Sequence, residues 1–140
     1  MKLYLDASVL VAIFWEDDPH HAPSLSLFKL IAEKKYSAVT SKWSLLEVAR
    51  GLVKNAVEEI TVWDSLSEII TQIQLEPLEP HLNQTIEYIL EPYRLYASDA
   101  LHLKTALNQK TEKMVSLDEE HFHKSKIKKL INVVFPEELI

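Results

Sequence analysis

Short apolar runs rich in strand-forming residues alternate with longer stretches in which apolar residues recur every three or four positions. The first pattern predicts strands and the second predicts helices. The predicted strands are Lys2–Leu5, Ser37–Ser41, Leu75–Leu78, Lys113–Leu117 and Asn132–Phe135. The predicted helices are Ser8–Phe14, Pro23–Lys35, Lys42–Asn55, Val57–Ile73, Leu82–Leu90 and Ser98–Lys110, and residues 118–130 form a polar helical turn or loop. Because helical crossovers join parallel strands, this order predicts a three-layer α/β/α sandwich with a central, mainly parallel sheet.

Polar residues at the predicted helix starts suggest how those helices begin. Ser8 and Ser98 are candidate N-caps, and Asp99 falls in a first turn, where the positive helix end favours an anion. In the helix 42–55, Glu47 lies on the polar face with Arg50 and Lys54. We therefore expect Glu47 to lie outside the core.

Composition limits the classes to which the protein can belong. The chain has 140 residues, 47% hydrophobic and 26% charged, with no linker or repeat, and we expect one domain over 1–140. No apolar run approaches the roughly 18 to 20 residues that span a bilayer, and the N-terminus lacks a secretory signal pattern. The absence of Cys excludes disulfides and thiolate metal sites. A cytoplasmic protein without membrane association is expected.

The formal net charge of −6 argues against binding nucleic acid through overall electrostatics. Any nucleic acid must be contacted locally, by clusters of basic residues. These clusters are Lys34 with Lys35, then Lys42, Arg50 and Lys54, and finally Lys124, Lys126, Lys128 and Lys129. Solvated faces are the ordinary explanation for such clusters.

Four acidic residues stand at strand ends or on helices: Asp6, Glu47, Asp99 and Asp118. A parallel sheet would bring them together, and several carboxylates in one place cannot all stay ionised without a counter-charge. A divalent cation would supply it. Each acid alone has a structural explanation: a helix cap for Asp6, a solvated position or an Arg50 partner for Glu47, helix-end electrostatics for Asp99, and a turn for Asp118.

The segments that carry these acids resemble PIN-domain ribonucleases, and among them the VapC-type toxins of toxin–antitoxin pairs. YLDASVLVAIF resembles the family's first strand with its aspartate and a hydroxyl residue two places on, here Ser8. SKWSLLEVARGL, YASDALHLKTAL and MVSLDEEHF resemble the segments that carry the family's other three acids. Two departures are Ala7, where such toxins often have a hydroxyl residue, and Ser116, where Thr is common.

The resemblance implies a single PIN-like domain that hydrolyses RNA with Mg²⁺ or Mn²⁺. Asp6, Asp99 and Asp118 would hold the metal, Glu47 would hold it through water or orient the nucleophile, and Ser8 would hydrogen-bond near Asp6. Hard oxygen ligands suit these ions. A cognate antitoxin is the implied partner. The apolar stretch 57–73 exceeds what a small core needs and could serve a homodimer or bind an antitoxin segment.

Two other functions stay open. DASV is similar to the nucleophile strand of haloacid-dehalogenase phosphatases, with Asp6 as the nucleophile, although Ser8 replaces their second aspartate. A non-catalytic PIN-like binding module is the other alternative.

Several further residues carry expectations that the structure can test. Arg50 and Lys54 share a helix face with Glu47 and could contact substrate phosphates. Gly51, the single Gly of the chain, could let RNA or a partner approach, so that Gly51→Leu would fold yet cleave RNA poorly. His102 is expected mainly to pack. Surface positions are expected for His121 and His123, and helix packing for Trp15, Trp43 and Trp63.

Overall fold

The computed structural model describes residues 1–78 and 82–140, without the side chain of Leu82. Its five strands form one sheet in which every neighbouring pair is parallel, in the order β3-β2-β1-β4-β5. The strands are β1 Lys2–Leu5, β2 Ser37–Ser41, β3 Gln74–Glu76, β4 Lys113–Val115 and β5 Asn132–Val134. The predicted parallel sheet is confirmed.

Helices cover both faces of this sheet. They are α1 Ala7–Phe14, α2 His21–Ala32, α3 Trp43–Lys54, α4 Glu59–Gln72, α5 Leu82–Ile89, α6 Ala97–Asn108 and α7 Ser125–Lys128, followed by a 3₁₀ helix at Pro136–Leu139. Alternate residues of one strand enter different cores: Leu3 and Leu5 pack with residues of α1 to α4, whereas Tyr4 packs with residues of α5 to α7. This alternation gives the three predicted layers.

Some predicted boundaries were wrong by a few residues. The first helix is capped by Asp6, whose side chain accepts hydrogen bonds from the backbone N–H groups of Ser8 and Val9, and not by Ser8. Helix α6 begins at Ala97 with Tyr96 at the N-cap, so Ser98 is already helical. The third strand begins at Gln74 and ends at Glu76, so it lies earlier than the predicted Leu75–Leu78; residues 79–81, which precede α5, lie outside the described residues.

Gly51 has a structural role that differs from the predicted one. A Cβ built on it would lie 2.8 Å from Cγ2 of Val11, too close for an ordinary contact. The missing side chain therefore allows α3 to pack tightly on α1, which explains this glycine without an approach of RNA; that approach stays a prediction.

The carboxyl ends of β1 and β4 lie side by side in the middle of the sheet. The Asp6 N–H donates to the Val115 carbonyl at 3.2 Å, which extends the pairing of the two strands by one residue. The chain runs from β1 to β2 on one side, and β4 lies on the other. Such a switch point opens a crevice at the carboxyl edge, where α/β sheets bind ligands.

Within the residues that the structure describes, no helix has the length and apolar character needed to cross a membrane.

Candidate active site

The four predicted acids meet at this crevice, in a cavity of about 170 Å³. Its lining residues are Asp6, Ala7, Ser8, Glu47, Asp99, His102 and Asp118. The acids come from four parts of the fold: the end of β1, the middle of α3, the first turn of α6 and the loop after β4. Residues far apart in sequence thus form one polar site, and Ser8 lies in it as predicted.

Asp6 is 4% exposed and holds its orientation through both carboxylate oxygens. Oδ1 accepts hydrogen bonds from Ser8 Oγ at 2.5 Å and from the N–H groups of Ser8 and Val9 at 3.0 and 3.4 Å. Oδ2 accepts one from Ser116 Oγ at 2.5 Å. Burial raises the pKa of Asp6, although the Ser116 and Ser8 hydroxyls oppose the shift. Because Oδ1 already accepts three bonds, Oδ2 is the oxygen with capacity for a ligand.

Two serine hydroxyls connect the ends of β1 and β4. Ser8 Oγ donates to Asp6 and accepts from the N–H of Leu117 at 3.1 Å. Ser116 Oγ donates to Asp6 and accepts from the N–H of Asp118 at 3.0 Å. These hydroxyls fix the loop that carries Asp118 relative to Asp6.

Asp99 and Asp118 face each other across His121. The Nδ1 atom of His121 lies 2.8 Å from Asp118 Oδ2 and 3.6 Å from Asp99 Oδ2. Burial raises the pKa of Asp99 to about 6, helped by the charges of Asp118 and Asp6 and opposed by His121. The hydrogen bond with Asp118 raises the pKa of His121. The expected surface position of His121 was therefore wrong, since its side chain is 24% exposed within the site.

Glu47 is held by a buried histidine. The Nε2 atom of His102 lies 2.5 Å from Glu47 Oε1, and its Nδ1 atom lies 2.6 Å from the Tyr4 hydroxyl. Burial raises the pKa of Tyr4 well above its usual range, so the phenol keeps its proton. We assign the Tyr4 O–H as donor to Nδ1, which makes Nε2 an N–H that donates to Glu47. The expected packing role of His102 is thus joined by direct contact with the site.

The remaining predicted residues lie around the site or away from it. Arg50 is exposed and lines a shallow depression next to Glu47, while Lys54 is exposed one turn further on. His123 is half-buried, stacks on Phe135 at 3.9 Å between ring centroids and contacts the Ser116 carbonyl. Trp63 is 63% exposed, so the predicted packing role was wrong for this tryptophan.

The donor set is chemically suited to a hard divalent cation. Carboxylate oxygens are the ligands that Mg²⁺ and Mn²⁺ prefer. Burial raises the pKa of Asp6 and of Asp99, and a cation bound beside them would oppose both shifts. Asp99, Asp118 and His121 also offer one ligand atom each within 4.8 Å of one another. The residues present therefore fit a divalent metal.

The PIN domain family model matches residues 3–127. The chain belongs to the PIN domain family. Residues 3–127 include all four acids, and the fold of this PIN domain agrees with the match. Membership of the PIN domain family replaces the haloacid-dehalogenase alternative that the DASV segment had left open. A search of curated proteins found no match.

Solved structures share the fold of this PIN domain at low sequence identity. VapC20 of Mycobacterium tuberculosis, described as a sarcin-ricin loop cleaving toxin, is 16% identical, with 85% of this chain and 92% of that chain covered and a TM-score of 0.71. VapBC2 of Rickettsia felis, bound to a DNA fragment from its promoter, is 16% identical, with 96% and 98% covered and a TM-score of 0.68. PAE2754 of Pyrobaculum aerophilum is 19% identical, with 99% and 86% covered and a TM-score of 0.71.

Proposed function

We propose that this PIN domain is a divalent-metal-dependent endoribonuclease that hydrolyses RNA phosphodiester bonds with Mg²⁺ or Mn²⁺. The observation that carries the proposal is the convergence of Asp6, Glu47, Asp99 and Asp118 on one cavity at the switch point of the sheet. Asp6, Asp99 and Asp118 would hold the cation, and Ser8 fixes Asp6. This set is what the sequence predicted.

The arrangement assigns separate tasks to the residues. A bound divalent cation supplies an acidified water and neutralises charge that builds on the phosphate. Asp6 offers Oδ2, since its Oδ1 accepts the capping bonds of α1. Glu47, fixed through Oε1 by His102, would hold or orient a water with Oε2. His102 and Tyr4 would act as positioning residues, since His102, which also lines the cavity, holds Glu47 and Tyr4 holds His102.

We further propose that the protein is the toxin of a toxin–antitoxin pair, acting in the cytoplasm as one domain over 1–140. Support comes from relatives of the same fold: VapC20 is described as a toxin, and a further similar structure is a toxin–antitoxin complex from Klebsiella pneumoniae, 18% identical with 96% and 97% covered and a TM-score of 0.64. A cognate antitoxin and a second copy of the chain are the proposed partners. Exposed apolar side chains on α3 and α4 offer a surface for them: Leu46, Val53, Ile60, Trp63 and Ile70.

An RNA cleavage assay tests the proposed activity. Purified protein is incubated with a labelled structured RNA in Mg²⁺, Mn²⁺ or EDTA. We expect cleavage only with a divalent ion, and at least about a hundredfold slower cleavage by Asp6→Asn and Asp99→Asn because each removes a charged ligand. Asp64→Asn, an exposed acid on α4, is the matched control and should cleave like the wild type.

Two results would contradict this proposal. Equal cleavage by Asp6→Asn and the wild type would place the activity elsewhere or assign it to a contaminant. A wild-type protein that binds Mn²⁺ without cleaving any RNA tested, or that binds no Mn²⁺, would instead favour the non-catalytic binding module.

A further inference from the structure

A polar groove of about 370 Å³ opens next to the acidic cavity. It runs between the segment that leads into α6 and the segment that leads into α7. Its lining residues are Tyr93, Arg94, Leu95, Tyr96, Glu120, His121, Lys124, Lys126 and Ile127. His121 belongs to both places, because it lines the groove and lies 2.8 Å from Asp118. A molecule in the groove would therefore extend directly to the proposed catalytic acids.

The groove concentrates positive charge in a chain whose net charge is −6. Arg94, Lys124 and Lys126 line it, against one acid, Glu120. Existing contacts of the cations are easily exchanged: Arg94 pairs with Glu91 at 3.3 Å with both side chains about three-quarters exposed, and Lys126 donates to a backbone carbonyl. An exposed ion pair of this kind contributes little to the stability of the protein, so a phosphate can replace the present partner of the cation.

An exposed aromatic ring lines the groove next to His121, the residue that contacts Asp118. Tyr96 is 72% exposed, and its ring meets the edge of the His121 ring with centroids 5.2 Å apart. Leaving a large ring in water has no benefit for folding. A free aromatic face next to basic side chains is the arrangement with which proteins bind single-stranded nucleic acid, because bases stack on the ring while cations contact phosphates.

We propose that this groove holds the single-stranded RNA segment on one side of the scissile phosphate, with a base stacked on Tyr96 and phosphates contacted by Lys124 and Lys126. The inference rests on the proposed function, which it deepens by locating the substrate. An acidic protein segment would use the lysines but has no need of a ring next to the catalytic cavity. The RNA assignment also explains how an acidic protein can retain an anionic substrate.

Binding is measured in an Asp99→Asn background, so that cleavage does not consume the RNA. Fluorescence anisotropy follows a labelled eight-nucleotide single-stranded RNA at several salt concentrations. We expect Tyr96→Ala to weaken binding about tenfold, as for the loss of one stacked base. Lys124→Gln with Lys126→Gln should reduce the slope of log K against log salt by about 1.4, as for two lost phosphate contacts.

Matched controls use residues at other surfaces of the molecule. Lys34→Gln with Lys35→Gln removes the same charge just before β2 begins, at the amino-terminal ends of the parallel strands and not at the carboxyl ends where the acids lie. Ile86→Ala removes an exposed apolar side chain outside the groove, on α5. Neither control should change affinity more than twofold. If the Lys34 and Lys35 substitutions weakened RNA binding as much as the Lys124 and Lys126 substitutions, binding would depend on overall charge and not on the groove. That result would overturn the proposal.

Photo-crosslinking with 4-thiouridine RNA locates the strand independently of affinity. A crosslink in the peptide that contains Tyr96 supports the proposal, and crosslinks confined to other surfaces overturn it. Unchanged RNA affinity in Tyr96→Ala, combined with poly-glutamate binding that depends on the two lysines, would assign the groove to an acidic protein segment. If RNA binds in the groove but is never cut by the wild-type protein, the proposed ribonuclease activity is rejected and the proposed RNA binding in the groove is kept.

Discussion

At the residue scale, Asp6 serves the fold and the site with different oxygens of one carboxylate. Oδ1 caps α1 and accepts the Ser8 hydroxyl, while Oδ2 faces Ser116 and retains acceptor capacity. The capping explanation and the proposed functional role, which are alternatives when only the sequence is considered, are therefore compatible. Capping α1 also fixes the Asp6 carboxylate, which would reduce the ordering cost of binding a cation.

The hydrogen bond from His102 to Glu47 predicts an effect on metal affinity. His102→Ala should raise the Kd for Mn²⁺ by about 10- to 100-fold, the usual effect of losing a group that orients a ligand. It should also cost about 1–3 kcal/mol of stability, because the buried Tyr4 O–H loses its acceptor and keeps only the hydrogen bond that its oxygen accepts from the Ser41 N–H. Thr105→Ala, also buried in α6 but bonded to the Leu101 carbonyl, is the control. Wild-type Mn²⁺ affinity in folded His102→Ala, measured by calorimetry, would contradict the positioning role.

The raised pKa of Asp99 predicts how the stability of the metal-free protein depends on pH. With a pKa of about 6 in the folded state against 3.8 for the ordinary group, the folded protein binds this proton more tightly than the unfolded chain does. The resulting stabilisation is present below pH 4 and is lost as the pH rises through 6, by about 3 kcal/mol. In EDTA, Asp99→Asn should therefore gain stability relative to the wild type between pH 4.5 and 7.5. Urea unfolding at each pH measures the difference in stability between the variant and the wild type. A difference that stays constant or falls as the pH rises would contradict the prediction.

At the scale of elements, the packing of α1 on α3 depends on the absence of a side chain at Gly51. The 2.8 Å approach to Val11 Cγ2 leaves no room for a larger residue. This contact matters for function, since α1 starts at Asp6 and α3 carries Glu47. Separating the two helices would separate the two acids.

Gly51→Leu should lower the free energy of unfolding by about 1–3 kcal/mol through overpacking. Adding Val11→Ala should recover part of this loss, because it removes the methyl group that a new Cβ would meet. Val53→Leu, an exposed position on the same helix, is the control and should change stability by less than about 0.5 kcal/mol. Denaturant titration of Gly51→Leu, Val11→Ala, the double variant, Val53→Leu and the wild type measures these effects. Additive effects of the Gly51 and Val11 substitutions would contradict the contact.

The same elements show what sequence periodicity can and cannot predict. It predicted the order of strands and helices, because apolar spacing is a local property. It could not give the order β3-β2-β1-β4-β5, since spacing does not indicate which strands are neighbours. Asp6 and Ser8 both carry oxygens able to cap α1, and the end of β1 in the sheet decides between them.

The convergence of the four acids was predictable from their positions at strand ends and on helices together with the family resemblance, as was Ser8 beside Asp6, but the other groups that orient the acids were not. His102 depends on Tyr4, 98 residues away in sequence, and Ser116 on Asp6, 110 residues away. The polar segment around His121 predicts a surface position. Its contact with Asp99 arises only because the N-terminus of α6 lies close to the loop that carries Asp118. Long-range packing supplies this information.

At the scale of the whole molecule, the parallel sheet brings acids from four elements to the switch point, while positive charge is concentrated in the neighbouring groove. The net charge of −6 is therefore compatible with an anionic substrate that is bound locally. An anionic substrate would need a cation bound at the acids, since carboxylates that are not neutralised would repel its phosphate.

The central claim, that these four acids hold a divalent cation, is tested most directly by anomalous X-ray diffraction from crystals grown with Mn²⁺. We predict an anomalous peak within ligand distance of Asp6 and Asp99, in the cavity that Glu47 and Asp118 also line. The peak should disappear in crystals of Asp6→Asn with Asp99→Asn. An empty cavity in wild-type crystals at saturating Mn²⁺, or a peak unchanged by the double substitution, would contradict the claim.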